Sequence, residues 1–457
     1  MIYEFTVENF RSFGQAQTLS LVKRAQRHLP DNAIATLPGF PHVVRTAAIF
    51  GHNASGKSNF VRAGYVFWDA VTNSATNPTP AGFIRGIEPH RLDPAWQLKP
   101  TRLEIVFSMG ERVFRYGFAA LPQKIVSESL SELRTPDSER VLFIRAERLQ
   151  GEAANVEFSG AEFDRAAKDN VPKLTRDNAL VLSSGANLNV PLLRDIRRVI
   201  FESLAIVSLS PFGSSIASQV AQSIRDESEF RDQLAAVLRD ADIGITGLHV
   251  GEPPALDVQI IEHFKRVLTP QHGEQAGEMA LQQAKQMAQA YIRVLAQHRR
   301  TDDGTVDFEW QDESQGTQIF AQLFWQAFRA FKNGQVVMID ELGANIHPLL
   351  AARFVELFQN PENNKSGAQL VFTTHLSQLM APSLLRKDQI WITEKTLEGN
   401  TELFSLADFR GEKYTRGSEA FEKNYLAGRY RGVGGFGPRL SGMPLEPAQQ
   451  TGSEGST

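Results

Sequence analysis

Gly51-His52-Asn53-Ala54-Ser55-Gly56-Lys57-Ser58 is the stretch whose reading decides this fold. It fits Gly-x-x-x-x-Gly-Lys-Ser/Thr, a loop whose backbone N–H groups cradle phosphate oxygens. Its flanks have the matching periodicity. Ala47-Ala48-Ile49-Phe50 is a short apolar run that predicts a buried strand end, and Ser58 to Asp69, with Phe60, Val61, Ala63 and Tyr65 among its apolar positions, predicts a helix. Strand, loop and helix in that order gather unpaired N–H donors and the positive end of a helix dipole around a polyanion. Gly51, Asn53, Ser55, Gly56 and Asn59 are candidate binding residues of this loop and the turn after it. Lys57 would reach terminal phosphates as a point charge, and Ser58 would ligate Mg²⁺. A chance glycine loop is the competing reading, and the strand and helix on either side argue against it.

Length and composition narrow the setting. A chain of 457 residues exceeds one ordinary core, so two or three subdomains are expected. Hydrophobic content of 42% with 22% charged residues is that of a soluble globular protein. No stretch of about 20 apolar residues offers a membrane span, and the start, with Tyr3, Glu4 and Glu8, lacks the basic and apolar segments of a secretory signal. The absence of cysteine excludes disulfides and thiolate–metal sites and fits a cytoplasmic setting. A formal charge of −4 and a pI near 6.2 give no global footprint for nucleic acid, so any such contact would need a local basic patch or a partner.

Outward from the loop the hydrophobic period changes several times. Tyr3, Phe5 and Val7 alternate with polar neighbours as a half-buried strand does, Asn9 to Gly14 turns the chain, and Thr18 to Val22 predicts a second strand. Residues 25–42 read as a surface loop, and Thr72 to Gly82 is polar and turn-rich. Leu103 to Phe107, Phe114 to Phe118, Val126 to Leu130 and Val141 to Ile144 predict an antiparallel meander. Between Gly151 and Arg300 helical spacing dominates, near Pro191–Leu204, Ser218–Arg239 and the Ala- and Gln-rich Gln275–Gln297, with short strands at Ile245–Val250 and Leu256–Ile261. Gln275–Gln297 lacks sustained apolar heptads, which argues against a long coiled coil. Val336–Ile339 and Gln369–Phe372, separated by a helix over Pro348 to Phe358, read as a βαβ unit, followed by strands at Ile390–Thr393 and Leu403–Leu406. The expected class is α/β, with a first lobe over 1–150, a mainly helical inserted lobe over 151–300, a second lobe over 301–430 and a flexible glycine-rich tail over 431–457.

Three further constellations carry chemistry. Val336 to Ile339 runs into Asp340-Glu341, and a carboxylate at a buried strand end can hold the Mg²⁺ that Ser58 touches, while Glu341 could act as general base on a water. Because 283 residues separate Lys57 from Asp340, the elements belong to a split ATPase with an inserted lobe rather than a small GTPase or nucleotide kinase. Asp312-Glu313-Ser314-Gln315-Gly316-Thr317 precedes an apolar helix over Ile319 to Phe331, so Asp312 or Ser314 would cap it and Ser314 and Gly316 would offer a second anion site. Thr373-Thr374-His375 follows the next strand, where a histidine can sense a γ-phosphate.

Taken together, Asn9-Phe10-Arg11-Ser12-Phe13, the phosphate loop, Glu313-Ser314-Gln315-Gly316-Thr317, Asp340-Glu341 and Thr374-His375 resemble ABC-class ATPases of the RecF, SMC and OLD branch. The chain is most similar to the AAA-annotated, RloA-like abortive-infection ATPases, among them ATPase subunits of anti-phage systems such as PARIS. Leu342 to Pro348, Arg386 to Trp391 and Tyr425 to Tyr430 add to the resemblance. It implies an ABC-type ATPase head using ATP and Mg²⁺, with Arg11 and Ser12 near the nucleotide, Lys57 and Ser58 on phosphate and metal, Asp340 supporting the metal, Glu341 as catalytic carboxylate and His375 as switch. Ser314 and Gly316 would complete a partner protomer's site, so ATP would lie between two copies of the chain. The family's glutamine-loop residue has no clear counterpart, Gln97 and Glu88-Pro89-His90-Arg91 being the candidates.

The resulting expectation is an ATP-hydrolysing oligomeric switch of an anti-phage system, paired with a separate effector such as a Toprim-like nuclease. A RecF-like DNA-maintenance ATPase and a nucleotide-locked scaffold with negligible turnover are the rivals. The acidic balance weighs against the first and Glu341 against the second.

Overall fold

The computed structural model describes residues 1–76, 82–146, 155–208, 214–241 (214–217 by backbone alone), 244–252, 282, 292–409 and 421–432. At its centre is a six-stranded sheet in the order Leu204–Ser208, Val336–Asp340, Gln369–Thr373, Thr46–Phe50, Ile390–Lys395, Thr401–Ser405. The first five strands are parallel and the last is an antiparallel edge. All five residues of Thr46–Phe50 are buried, as a strand covered on both faces requires.

Alternation divides the apolar residues of these strands between two cores. Ala47, Ile49, Val336, Met338 and Val371 face one core, shared with the helix Lys57–Asn73. Ala48, Phe50, Val337, Ile339, Leu370 and Phe372 face the other, built with the helices Gln315–Asn333 and Pro348–Gln359. The helix after the phosphate loop is then covered by a second sheet. This sheet is antiparallel, in the order Asn155–Phe158, Ser138–Ala146, Lys124–Thr135, Arg112–Leu121, Thr101–Met109, Ile2–Glu8, Gln17–Ser20. Phe5 meets Phe60 edge-on at 5.6 Å, and Phe67 stacks on Phe118 at 5.9 Å.

The α/β class, the antiparallel meander and the mainly helical region between the two halves are as the sequence predicts. Five readings need correction. The helix over Ser58–Asp69 runs from Lys57 to Asn73, and that over Ile319–Phe331 from Gln315 to Asn333, because polar cap and end residues carry no apolar period. The segment Pro191–Leu204 is helical only to Ser203. Leu204–Ser208, a short run with β-branched Ile206 and Val207, is the edge strand beside Val336–Asp340. Ser218–Arg239 is two helices, Ser214–Asp226 and Ser228–Asp240. Val294–Gln297, the end of the segment read as helix, belongs to Val294–Arg299, the middle strand of a three-stranded sheet with Ile245–Val250 and Thr305–Glu309. There Val294 to Ala296 are buried against the neighbouring helices, and tertiary pairing overrides an Ala- and Gln-rich helical preference. Most of Gln275–Gln297, all of Leu256–Ile261 and the tail beyond residue 432 lie outside the described residues.

Buried polar side chains fasten the sheets together. Gln369 receives the Ile2 N–H at 2.7 Å and donates to the Ile2 carbonyl at 3.0 Å, tying the first strand to the central sheet. Arg386, fully buried, donates to both oxygens of Asp388 at 2.8 Å and to the carbonyls of His28 at 2.7 Å and Arg24 at 3.1 Å. It thereby pins the 24–29 loop at the foot of Ile390–Lys395. Removing one member of such a pair strands a buried charge, at a cost of about 3–5 kcal/mol. Arg386→Met should therefore lower unfolding free energy by that amount in chemical denaturation, and adding Asp388→Leu should restore most of it. A single-variant loss below ~1 kcal/mol would show the pair to be dispensable.

Candidate functional site

The parallel strands end together, and their C-terminal ends assemble the site. Thr373 pairs with Ile49 and Ile339 with Phe372, so one strand separates the phosphate-loop strand from the Asp340 strand. Gly51, at φ 151°, and Gly56, at φ 111°, let the loop turn. A Cβ at Gly51 would stand 2.4 Å from Thr393 Oγ1 and one at Gly56 2.3 Å from Thr401 Oγ1, so only glycine allows this approach. Ser55, fully buried, meets the Thr393 hydroxyl at 2.7 Å, and Thr393 donates to the Phe50 carbonyl at 3.1 Å. Asn53 and Ser58 are exposed.

Lys57 is 4% exposed, and its Nζ donates to the carbonyls of Gly51 at 2.8 Å and His52 at 2.9 Å. Burial lowers its pKa to about 8, opposed by the charges of Glu341 and Asp340. The amine thus stays mostly protonated at neutral pH while folded against its own loop.

Across the intervening strand, the Thr373 hydroxyl donates to Asp340 Oδ1 at 2.6 Å and accepts the Glu341 N–H at 2.7 Å. One side chain therefore fixes the direction of both carboxylate-bearing residues. Glu341 has φ 58°, a left-handed conformation that takes the chain off the strand, and its side chain is exposed. Thr374 receives support from both sides, its N–H donating to Ile49 O at 3.1 Å and its hydroxyl to Leu342 O at 2.7 Å. His375 follows, exposed. The protein mass around its ring, and then the Lys57 charge, lower its pKa, while Glu341 and Asp340 act in the other direction.

The N-terminal turn completes the rim. Asn9 and Arg11 have positive φ, 48° and 52°, and Phe10 and Phe13 exchange backbone bonds of 2.8 Å. Ser12 Oγ accepts from Asn59 Nδ2 at 2.8 Å, and the Thr401 hydroxyl lies 2.8 Å from both Ser12 Oγ and Ser55 O. Arg11 reaches Asn59 Oδ1 at 3.3 Å and is held by both oxygens of Glu88 at 3.1 and 3.2 Å. Of the glutamine-loop candidates, residues 88–90 therefore come to the rim, His90 Nδ1 meeting the Arg11 carbonyl at 2.8 Å. Gln97 instead closes a local turn on Arg91 O at 3.1 Å.

Arg11, Ser12, the phosphate loop, Asn59, Asp340, Glu341 and His375 are thus brought together. Ser314 and Gly316 are not. Ser314 caps the helix Gln315–Asn333 by accepting the Thr317 N–H at 3.1 Å, and Asp312 is not the cap. Gly316 lies against the 342–348 loop, where a Cβ would stand 3.2 Å from Asn345 O. Among the described residues no hydrogen bond or ion pair links Ser314 or Gly316 to residues 51–59. Thr373, Thr393 and Thr401 organise the site although no spacing motif gave them a role in it, while Glu88, within a glutamine-loop candidate, holds Arg11 there. The positions of Thr393 and Thr401, at and beside a short strand that follows the histidine, are the faint signal available.

Comparison with known proteins bears on this geometry. The family described as "AAA domain, putative AbiEii toxin, Type IV TA system" matches residues 47–381, from the phosphate-loop strand past His375. No curated protein matches. Among solved structures, the chain is similar to an SMC head bound to the C-terminal winged-helix domain of ScpA, at 13% identity and a TM-score of 0.36, over 90% of this chain and 98% of that one. The family match spans well over half of the sequence and includes both carboxylates and the phosphate loop; the chain belongs to this family of AAA domains, described as putative AbiEii toxin of type IV TA systems.

Proposed function

We propose that this protein is an ATP-binding and ATP-hydrolysing oligomeric switch, cytoplasmic, acting as the sensor and ATPase subunit of a prokaryotic anti-phage system that controls a separate effector such as a Toprim-like nuclease. The observation that carries the reading is the convergence of Lys57, Asp340, Glu341 and His375 at the ends of adjacent parallel strands, close enough that each charge perturbs the lysine or the histidine. The donor set suits Mg²⁺, since the Ser58 hydroxyl and the Asp340 carboxylate are hard oxygen ligands of the kind that ion takes. When bound, Mg²⁺–ATP supplies the phosphoanhydride and the metal that neutralises its developing charge.

The chain's own groups then have distinct tasks. Lys57, already desolvated, exchanges two carbonyl acceptors for phosphate oxygens. The loop N–H groups at the helix start hold the polyphosphate. Glu341, exposed at its strand end, takes a proton from the attacking water, and His375 contacts the terminal phosphate. Ser314, capping a helix apart from its own chain's loop, offers its helix N-terminus to the nucleotide of a second copy.

Lys57→Ala should weaken ATP binding by at least ~10-fold, because a charge-assisted bond contributes about 1.5–3 kcal/mol. Unchanged affinity by calorimetry would remove Gly51–Ser58 from the site. Glu341→Gln should retain binding and slow turnover ~10²-fold or more. Steady-state phosphate release within twofold of the parent would assign the base elsewhere. In phage plating assays on cells carrying the native locus, the same variant should abolish protection.

Completion of the site by a second copy is tested by mixing. Ser314→Arg should bind ATP yet neither hydrolyse it nor assemble, and adding Lys57→Ala chains should restore part of the activity. A fully active monomer at high dilution would mean that the site is completed within one chain.

A further inference from the structure

Residues 421–432 touch both loops that border the candidate site. The short helix Phe421–Leu426 places Glu422 where its Oε1 accepts the Ser377 hydroxyl at 2.7 Å, two residues beyond His375. The chain then reverses, with Ala427 N–H on Lys423 O at 3.0 Å and Gly428 N–H on Tyr425 O at 2.8 Å. The return brings Gly432 to the phosphate loop, where its carbonyl accepts the His52 N–H at 2.9 Å and the Tyr425 hydroxyl at 3.2 Å. The Tyr425 ring lies 6.4 Å from that of Phe50, the last residue of the phosphate-loop strand. Burial pushes the Tyr425 hydroxyl up to about 12, with the Gly51 N–H opposing, so it stays protonated and keeps donating.

The far end is anchored separately. Arg431 pairs with Glu394, on Ile390–Lys395, and with Glu402 at 2.7 Å, on Thr401–Ser405, while the Gly432 N–H donates to Glu394 at 3.3 Å. These contacts hold one continuous stretch against the foot of the phosphate loop and against the turn Ser377–Met380 that leads away from His375.

We propose that residues 421–432 form a strap coupling the phosphate loop to the His375 loop, with Glu422 acting through Ser377 as the positioning residue for His375. The proposal rests on the ATPase reading of that site and adds its regulation. Seated, the strap fixes the spacing between the loop that holds the phosphates and the histidine that contacts the last of them. Displaced, it deprives His52 of its acceptor and Ser377 of its anchor in one movement, so whatever engages residues 421–432 acts on both loops.

The test compares Glu422→Ala, Glu422→Gln and the parent as full chains. Glu422→Ala should lower turnover at saturating ATP ~10-fold while the ATP Kd stays within about twofold, because the reacting groups are misplaced while the phosphate loop remains. Glu422→Gln, which retains an acceptor oxygen, should recover most of the turnover. Ser377→Ala should match Glu422→Ala, and the double variant should be no worse than either alone. Hydrogen exchange on the nucleotide-free chain is the second arm, in which Glu422→Ala should speed exchange at residues 376–380 and at the His52 amide together. Turnover within twofold of the parent, or faster exchange at 376–380 with His52 unchanged, would overturn the strap. A parent that binds ATP without hydrolysing it would sink the ATPase reading instead, and the exchange arm would then decide the strap alone.

Discussion

Three buried strands in parallel register, Thr46–Phe50, Gln369–Thr373 and Val336–Asp340, are the constraint on which the rest of the molecule depends. Parallel pairing sends all three C-terminal ends the same way, so the loops leaving them emerge side by side. The strand in the middle is more than a spacer. Its last residue, Thr373, orients Asp340 and the start of Glu341 with one hydroxyl, and the next, Thr374, fastens both neighbouring strands. Burial on both faces leaves the strands no freedom to slip, since a shift of one residue would exchange the two cores and turn Ile339 and Met338 the wrong way. The site is accurate because the sheet beneath it has only one register.

Around that centre, polar groups are buried wherever two layers must be held at a fixed offset. Glu128 is buried beneath the helix Val181–Asn187 and accepts the N–H groups of Val181 and Leu182 at 2.6 and 2.9 Å, together with the Tyr116 hydroxyl at 2.8 Å. Arg145, beside it, donates to the Ala179 carbonyl at 2.6 Å. These contacts join the antiparallel sheet to the helical region much as Gln369 and Arg386 join Ile2 and the 24–29 loop to the central sheet. Each satisfies backbone groups that a wholly apolar contact would leave unpaired.

Much of this was legible in the residues. The phosphate loop, the Asp340-Glu341 strand end and the meander announce themselves because each is a short pattern with its own geometry: glycines where φ is positive, apolar runs where both faces are covered, alternation where one is. What escaped were features created by tertiary contact. Leu204–Ser208 starts on the last residue of a predicted helix and has no reading of its own until a partner strand exists for it, and Val294–Gln297 has the composition of a helix and the position of a strand. Thr393 and Thr401 look like ordinary polar residues until folding sets them against Ser55 and Ser12. Their roles depend on partners hundreds of residues away or in another turn, and no local spacing records that.

The order of strands in the central sheet also bears on how the chain is made. Thr46–Phe50 leaves the ribosome early, yet both of its neighbours, Gln369–Thr373 and Ile390–Lys395, follow more than 300 residues later. At about 5–20 residues per second, the phosphate-loop strand waits tens of seconds before its sheet can close. Through that interval it is an apolar, edge-exposed segment with only the antiparallel sheet and its own helix for cover. The candidate site therefore cannot form until residue 369 and its strand have been made, and a chain interrupted before that point holds the loop without the strand beside it.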